Sequence, residues 1–177
     1  MSRPELSLFS YEILGLVGRR GVGAHDLLLM AQRGRIFDWA GESQYYVEPK
    51  RLAKLGYLEA TKEPGKTRER TVYSLTDKGL EALHAWARSP VRVTPLKSEP
   101  LLRVLVADLV GEAVIRGSIG TLREDIADLR ARVEESEAAA AALPHRAKYL
   151  QINLRFARGL LDLHARLVDD VERELSR

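Results

Sequence analysis

Between residues 43 and 79 the chain changes its hydrophobic period twice, and that switch limits the folds open to it. Residues 43–58, SQYYVEPKRLAKLGYL, read as an amphipathic helix. Val47, Leu52, Ala53 and Leu55 turn inward, while Gln44, Lys50, Arg51 and Lys54 face out. Glu42 or Ser43 can cap its first turn, and Gly56 is its C-terminal stop. Two short β-branched or aromatic stretches follow, Leu58–Thr61 and Thr71–Leu75, separated by KEPGKTRER with Pro64-Gly65 as a turn signal. The segment is therefore a helix followed by a hairpin with a basic tip.

Helices flank this segment. Leu6, Phe9, Ile13, Leu16 and Val17 share one helical face, and Gly18, Gly21 and Gly23 end that helix in a loop. A second helix is predicted from Ala24 to Arg33 with Leu27, Leu28 and Met30 on its apolar side, and a connection from Gly34 to Gly41 bears Ile36, Phe37 and Trp39. Asp77 is expected to cap a fourth helix running to Trp86, with Leu80, Leu83 and Trp86 along one stripe. Ser89-Pro90 and Thr94-Pro95 then impose extended backbone, so the chain divides into residues 1–88, a linker at 89–100, and residues 101–177.

Past the linker every segment reads as helix. Leu101, Leu102, Leu105, Val106 and Leu109 form an apolar segment that Gly111 breaks. Ile115, Ile119, Leu122, Ile126, Leu129 and Val133 then recur at alternating steps of four and three, a heptad seam that thins through Ser136, Ala140 and Leu143 until Pro144. From His145 to Leu175 a last helix carries Tyr149, Ile152, Phe156, Leu160, Leu163, Leu167 and Val171 on one side. Narrow apolar seams on two long helices have to be covered. A second subunit is the natural cover, with an intramolecular antiparallel pair taking part of the seam.

Composition excludes several function classes. No apolar run approaches the ~20 residues that span a bilayer, and the first twenty residues carry Glu5 and Glu12 with no cleavage pattern. The expectation is a cytoplasmic chain with no membrane partner. With no cysteine, disulfides, thiolate catalysis and Cys-ligated zinc are excluded. His25, His84, His145 and His164 lack ligand spacing, GRRGVG lacks the Lys-Ser/Thr ending of a phosphate loop, and no Ser-His-Asp order has a strand-turn-helix context. Neither an enzyme nor a cofactor nor a metal is expected.

Charge is unevenly spread. Residues 1–88 hold 14 Lys+Arg against 11 Asp+Glu, whereas the remaining residues hold 14 against 14, so the whole surplus of +3 lies in the N-terminal half. Within it, Lys50, Arg51, Lys54, Lys62, Lys66, Arg68 and Arg70 outnumber Glu59, Glu63 and Glu69. A local cationic surface is what phosphate binding requires. A helix with polar, aromatic and cationic outer groups, followed by a hairpin with a cationic tip, is how a winged helix grips duplex DNA. Ser43, Gln44, Tyr46, Lys50 and Arg51 then become the DNA-facing candidates of the helix, where a glutamine can pair bidentately with adenine. Lys66, Arg68 and Arg70 of the wing suit phosphate, which positions rather than specifies. Arg51 also has Glu48 within reach, and packing of Tyr46 against Tyr11 or Trp39 is the alternative to its facing DNA.

LSLFSYEILGLV at residues 6–17, the segment 43–58, and RTVYSLTDKG at residues 70–79 together resemble the PadR family of bacterial transcriptional regulators. Ser43-Gln44, Tyr46, Lys50-Arg51-Leu52 and Gly56 carry the resemblance, with Arg70, Tyr73, Leu75-Thr76 and Gly79 after the wing. Val47 and Pro49 stand where the family has proline and leucine. The helical C-terminal half resembles the type shared with the AphA virulence activators. The resemblance implies a mainly α fold with a small β-hairpin, in which an N-terminal winged helix-turn-helix domain precedes a helical dimerisation domain with long coiled-coil-like helices. It implies a homodimeric repressor on a pseudo-palindromic operator. By analogy with phenolic-acid sensing in part of the family, Trp39, Trp86, Tyr149 and Phe156 are candidates for the pocket of a small aromatic effector where the two domains meet, and packing of a domain interface is the favoured alternative for them. The rival reading is a dimeric winged-helix interaction module that does not read DNA.

Overall fold

The first helix is set by a reciprocal serine cap. Ser7 accepts from the backbone N–H of Ser10, and the Ser10 hydroxyl accepts from the Ser7 N–H, which starts α1 at Leu8–Val17. Its inner face buries Ser10, Ile13, Leu14 and Val17. The computed structural model describes residues 5–33, 40–64 and 69–176, and the chain forms two compact units that meet between Arg92 and Val93.

In the first unit, β1 (Val22–Gly23) leads into α2 (Ala24–Arg33), and α3 (Gln44–Lys54) precedes the hairpin of β2 (Leu58–Glu63) and β3 (Arg70–Leu75). The described strands form one antiparallel sheet in the order β1-β3-β2, paired from Leu58↔Leu75 to Glu63↔Arg70 and from Val22↔Tyr73 to Gly23↔Val72. β1 has no signature in the sequence, because Val22 and Gly23 alone carry no alternation to detect. The hairpin strands run longer than expected at the end nearest the connecting loop, where Glu63 and Arg70 form the last pair of the ladder and an ion pair. Ile13, Leu14, Val17, Leu27, Leu28, Tyr45, Leu52, Tyr57, Leu58 and Tyr73 make the core of this unit.

Two caps differ from expectation. Thr76, not Asp77, caps α4 (Asp77–Ala87): it has extended backbone and its Oγ1 accepts from the Gly79 N–H at 3.1 Å. The same hydroxyl proton is shared between the Gly56 and Tyr57 carbonyls at 2.8 and 3.0 Å, so one side chain binds the helix start to the turn after α3. Gly79 permits that approach, because a Cβ there would lie 2.3 Å from the Tyr57 carbonyl oxygen. On α3 neither Glu42 nor Ser43 caps through its side chain. Glu42 accepts from Gln32, Ser43 already has helical backbone, and the first turn is closed by backbone bonds to the Gly41, Glu42 and Ser43 carbonyls.

The second unit is helical throughout its described elements: α5 (Glu99–Leu105), α6 (Ala107–Val110), α7 (Glu112–Gly120), α8 (Leu122–Ala141) and α9 (Ala147–Glu174). The heptad seam is real but is carried by two helices, since regular helix lapses at Thr121. Ile115, Ile119, Ile126, Val133 and Ala140 are buried, while Leu122 and Leu129 are half-buried. They pack against α9 within the same chain. Arg123 pairs with Asp169 and Glu172, Arg130 with Asp162, and Glu137 with Arg158. These three positions of α8 lie seven apart while their partners descend along α9, so the two helices are antiparallel and in constant register. The face of α9 turned to α8 is Ala157, Leu161, Val168 and Val171, offset from the stripe read in the sequence. Of that stripe only Val171 is buried, whereas Tyr149, Ile152, Phe156 and Leu163 are exposed. The period was read correctly and the inward face was not, because α9 carries apolar side chains on both.

Candidate nucleic-acid interface

α3 has two faces of opposite character. Tyr45, Glu48, Pro49 and Leu52 are buried at steps of three or four, and Tyr45 packs edge-on to Phe9 with ring centres 5.0 Å apart while its hydroxyl donates to Glu12. Val47, expected to turn inward, is 55% exposed and Tyr45 takes the core position instead. A 3.6-residue turn that puts Leu52 and Glu48 inside puts Tyr45 inside with them and rotates Val47 out. Ser43, Gln44, Tyr46, Lys50 and Lys54 are exposed, so the polar candidates share the outer side of the helix.

The outer residues differ in how they are held. Tyr46 Oη lies 3.4 Å from His25 Nδ1, which links α3 to the first turn of α2. Sequence reasoning did not find His25, because its position gives no signal until α2 and α3 are seen side by side. Lys50 makes no ion pair among the described residues, which leaves its ammonium available. Lys78 of α4 donates to the Leu55 carbonyl at 2.6 Å and lies over the Tyr57 ring, placing a cation at the negative C-terminal end of α3.

Arg51 is placed differently from Lys50. Its Nε and Nη2 donate to Glu48 Oε2 and Oε1 at 2.8 and 2.7 Å, Nη2 also reaches Ser10 Oγ at 3.2 Å, and Nη1 donates to the Glu5 carbonyl at 3.1 Å. Ser10 Oγ donates to Glu48 Oε1 at 2.7 Å. Burial pushes the Glu48 carboxyl up, yet the hydrogen bonds from Arg51 and Ser10 and the Arg51 charge outweigh it and hold the group below the usual carboxylate range. The Arg51 guanidinium is correspondingly held above its usual range, first by its bond to Glu48.

On the wing, Arg70 donates to Glu63 at 3.3 Å and lies 3.7 Å from Asp26, so it bridges the hairpin to α2 while remaining over half exposed. Lys66 and Arg68 lie outside the described residues, as does Trp39. Trp86 is stacked on Tyr11 at 4.9 Å, and Tyr149 and Phe156 are exposed on α9. Within the second unit an open cleft of about 480 Å³ lies between residues 96–101 and α9, lined by Leu96, Pro100, Leu101, Leu160, Leu163 and Leu167 with Lys97, His164 and Arg166 at its margin. No pattern in the sequence marks it, since leucines lining a cleft look like leucines in a core. Among the described residues no group of His, Asp or Glu could hold a metal, and no helix is long and apolar enough to cross a membrane.

Solved structures share this fold over nearly the whole chain. The virulence activator AphA of Vibrio cholerae is 21% identical, with 94% of this chain and 97% of AphA covered at a TM-score of 0.73. PadR of Bacillus subtilis in complex with operator DNA is 19% identical, with 93% and 99% covered at 0.67. The same protein in complex with p-coumaric acid matches at 19% identity, 94% and 99% coverage and 0.60. No protein-family model and no curated protein matches the sequence. The chain has the winged-helix fold with a helical C-terminal region that these regulators share.

Proposed function

We propose that the chain is a PadR-type transcriptional regulator, not an enzyme, that binds duplex DNA as a homodimer and acts as a repressor. The observation that carries this reading is the division of α3: its inner face is bonded into the core, and its outer face offers Ser43, Gln44, Tyr46, Lys50 and Lys54 together. A helix so presented fits the major groove, where amide and phenol groups read base edges and ammonium groups meet phosphate. The hairpin adds Arg70, and the sequence between its strands carries Lys66 and Arg68. The likeness to PadR in complex with operator DNA supports the same reading.

Residues 1–88 would then read DNA, 89–100 connect, and 101–177 dimerise. In support, the described C-terminal helices leave Leu101, Leu102, Leu105, Leu109, Ile152 and Leu163 exposed, a burden that a soluble monomer seldom carries and a second copy would cover. Two symmetry-related α3 helices would enter successive major grooves of a pseudo-palindromic site. A small aromatic effector would release the DNA, a reading supported by the p-coumaric acid complex of the Bacillus subtilis protein. The test is a gel shift on the DNA upstream of the protein's own gene, run with and without excess random duplex. A retarded band that survives the competitor supports the reading, and a band lost equally to either DNA refutes it.

A further inference from the structure

Lys50 and Arg51 are adjacent cations on one helix, yet they have unlike surroundings. Four of the five guanidinium N–H groups of Arg51 are directed at Glu48, Ser10 and the Glu5 carbonyl, whereas Lys50 projects into solvent. Glu48 is only 7% exposed and Ser10 is fully enclosed. If Arg51 swung out to a phosphate, it would strand a buried carboxylate without its counter-charge, so the network opposes that movement.

We propose that Arg51 is a positioning residue rather than a DNA contact: with Glu48 and Ser10 it fixes the rotation of α3 about its axis, and so selects which side chains meet the bases. This inference rests on the DNA-binding reading above. Of the remaining inward contacts of α3, Pro49 and Leu52 are apolar and constrain depth better than rotation, while the Tyr45 hydroxyl adds a single bond to Glu12 of α1 at the start of the helix. Pro49 also has no N–H to offer the Tyr45 carbonyl, so the helix lacks one of its own bonds beside Glu48. Directional bonds from α1 supply what the packing does not. A side chain tip lies ~6 Å from the axis of a helix, so a turn of about 20° moves it by about 2 Å. That exceeds the tolerance of a hydrogen bond to a base edge. The network thus acts on specificity while touching no nucleotide.

The test uses the full chain and compares affinity for the operator and for a scrambled duplex across salt concentrations, each normalised to the fraction of protein active in stoichiometric titration. Arg51→Gln removes the charge, Arg51→Lys keeps the charge but not the fork, and Glu48→Gln leaves Arg51 in place while loosening its anchor. Lys50→Ala is the contact control. Positioning predicts that both Arg51 variants and Glu48→Gln lose operator-over-scrambled discrimination by about tenfold or more, with the salt slope unchanged, whereas Lys50→Ala lowers the slope by about 2 per dimer. A slope lowered by Arg51→Gln and restored by Arg51→Lys would make Arg51 a phosphate contact and overturn the proposal. Equal losses on both duplexes that vanish on normalisation would reduce the network to fold stability and overturn it too. If Arg51→Gln does not fold, Glu48→Gln, which is isosteric, decides alone. A wild-type protein that does not discriminate the operator refutes the DNA-binding reading itself, an outcome visible before any variant is compared.

Discussion

In the first unit Ile13, Leu14, Leu27 and Leu52 are fully enclosed, and among its described helices exposed apolar side chains come singly or in pairs, as Leu8, Leu29 with Met30, and Tyr46 with Val47 do. In the second unit Leu101, Leu102, Leu105, Leu109, Val110 and Val114 crowd the exposed surface of three consecutive helices, and α9 shows Tyr149, Ile152, Phe156 and Leu163 besides. The difference lies in layering. α1, α2, α3 and a sheet surround one centre, so each apolar stripe finds cover within the unit. α8 and α9 cover one seam of each other and leave the second face of α9 without a layer. Among the described residues, one unit covers its own apolar stripes and the other leaves some of them exposed.

The largest expected effect breaks this contrast at its weak side. Ile152→Glu with Leu163→Glu should convert a dimer of about 40 kDa, twice the 19.9 kDa chain, to a monomer in light scattering, because carboxylates buried without partners cost several kcal/mol each. The helical content of the second unit should persist. Leu122→Glu with Leu129→Glu should instead loosen the α8–α9 pair itself, so loss of helix in that variant and not in the first separates the two seams. Dimers that survive the Ile152 and Leu163 changes would place the interface elsewhere.

Gly79→Ala probes the complete unit. Its Cβ would lie 2.3 Å from the Tyr57 carbonyl oxygen, so the start of α4 must shift, at a cost of roughly 1–3 kcal/mol read as a lowered melting midpoint. An unchanged midpoint would show that the contact relaxes freely.

A comparable effect should appear with acid. The Glu48 carboxyl is held below its usual range in the folded state, so the stability it contributes is fully present above its unfolded value of about 4.3 and is lost as pH falls through the lower folded value. Glu48→Gln should destabilise the protein by about 1.5–3 kcal/mol at neutral pH, and the gap to wild type should narrow in acid. A gap that stays constant down to pH 3 would contradict the assignment. The smallest effect is expected at Arg130–Asp162, where both side chains are about half exposed: a double-mutant cycle should give under about 1 kcal/mol. Such pairs set the register of α8 on α9 more than its strength.

What the sequence disclosed follows from period and punctuation. α2 was legible from Ala24 to Arg33, the stop at Gly56 is a glycine at φ +79°, and the hairpin was placed by Pro64-Gly65 between β-branched runs. The phase of a helix was harder to read than its existence. Val47 and Tyr45 both suit a core, and only the bonds of Glu48 to α1 decide between them. α9 has the same ambiguity over its whole length, with two apolar faces and a single partner in the chain. Of the candidate site, the outer polar residues of α3 were legible because the helix is amphipathic. The inward commitment of Arg51 was legible only in part, as Glu48 three residues earlier permits the pair, while Ser10 and the Glu5 carbonyl come from a segment some forty residues away.

The proposed function requires a dimer of this chain to read DNA with α3. A stoichiometric anisotropy titration of the upstream duplex and a scrambled duplex, each at ~50 and ~200 mM salt, tests it most directly. Two chains per operator duplex are expected, with affinity at least about a thousandfold above the scrambled duplex and steep weakening on both as salt rises. One chain per duplex, or equal affinity for both sequences, would contradict it.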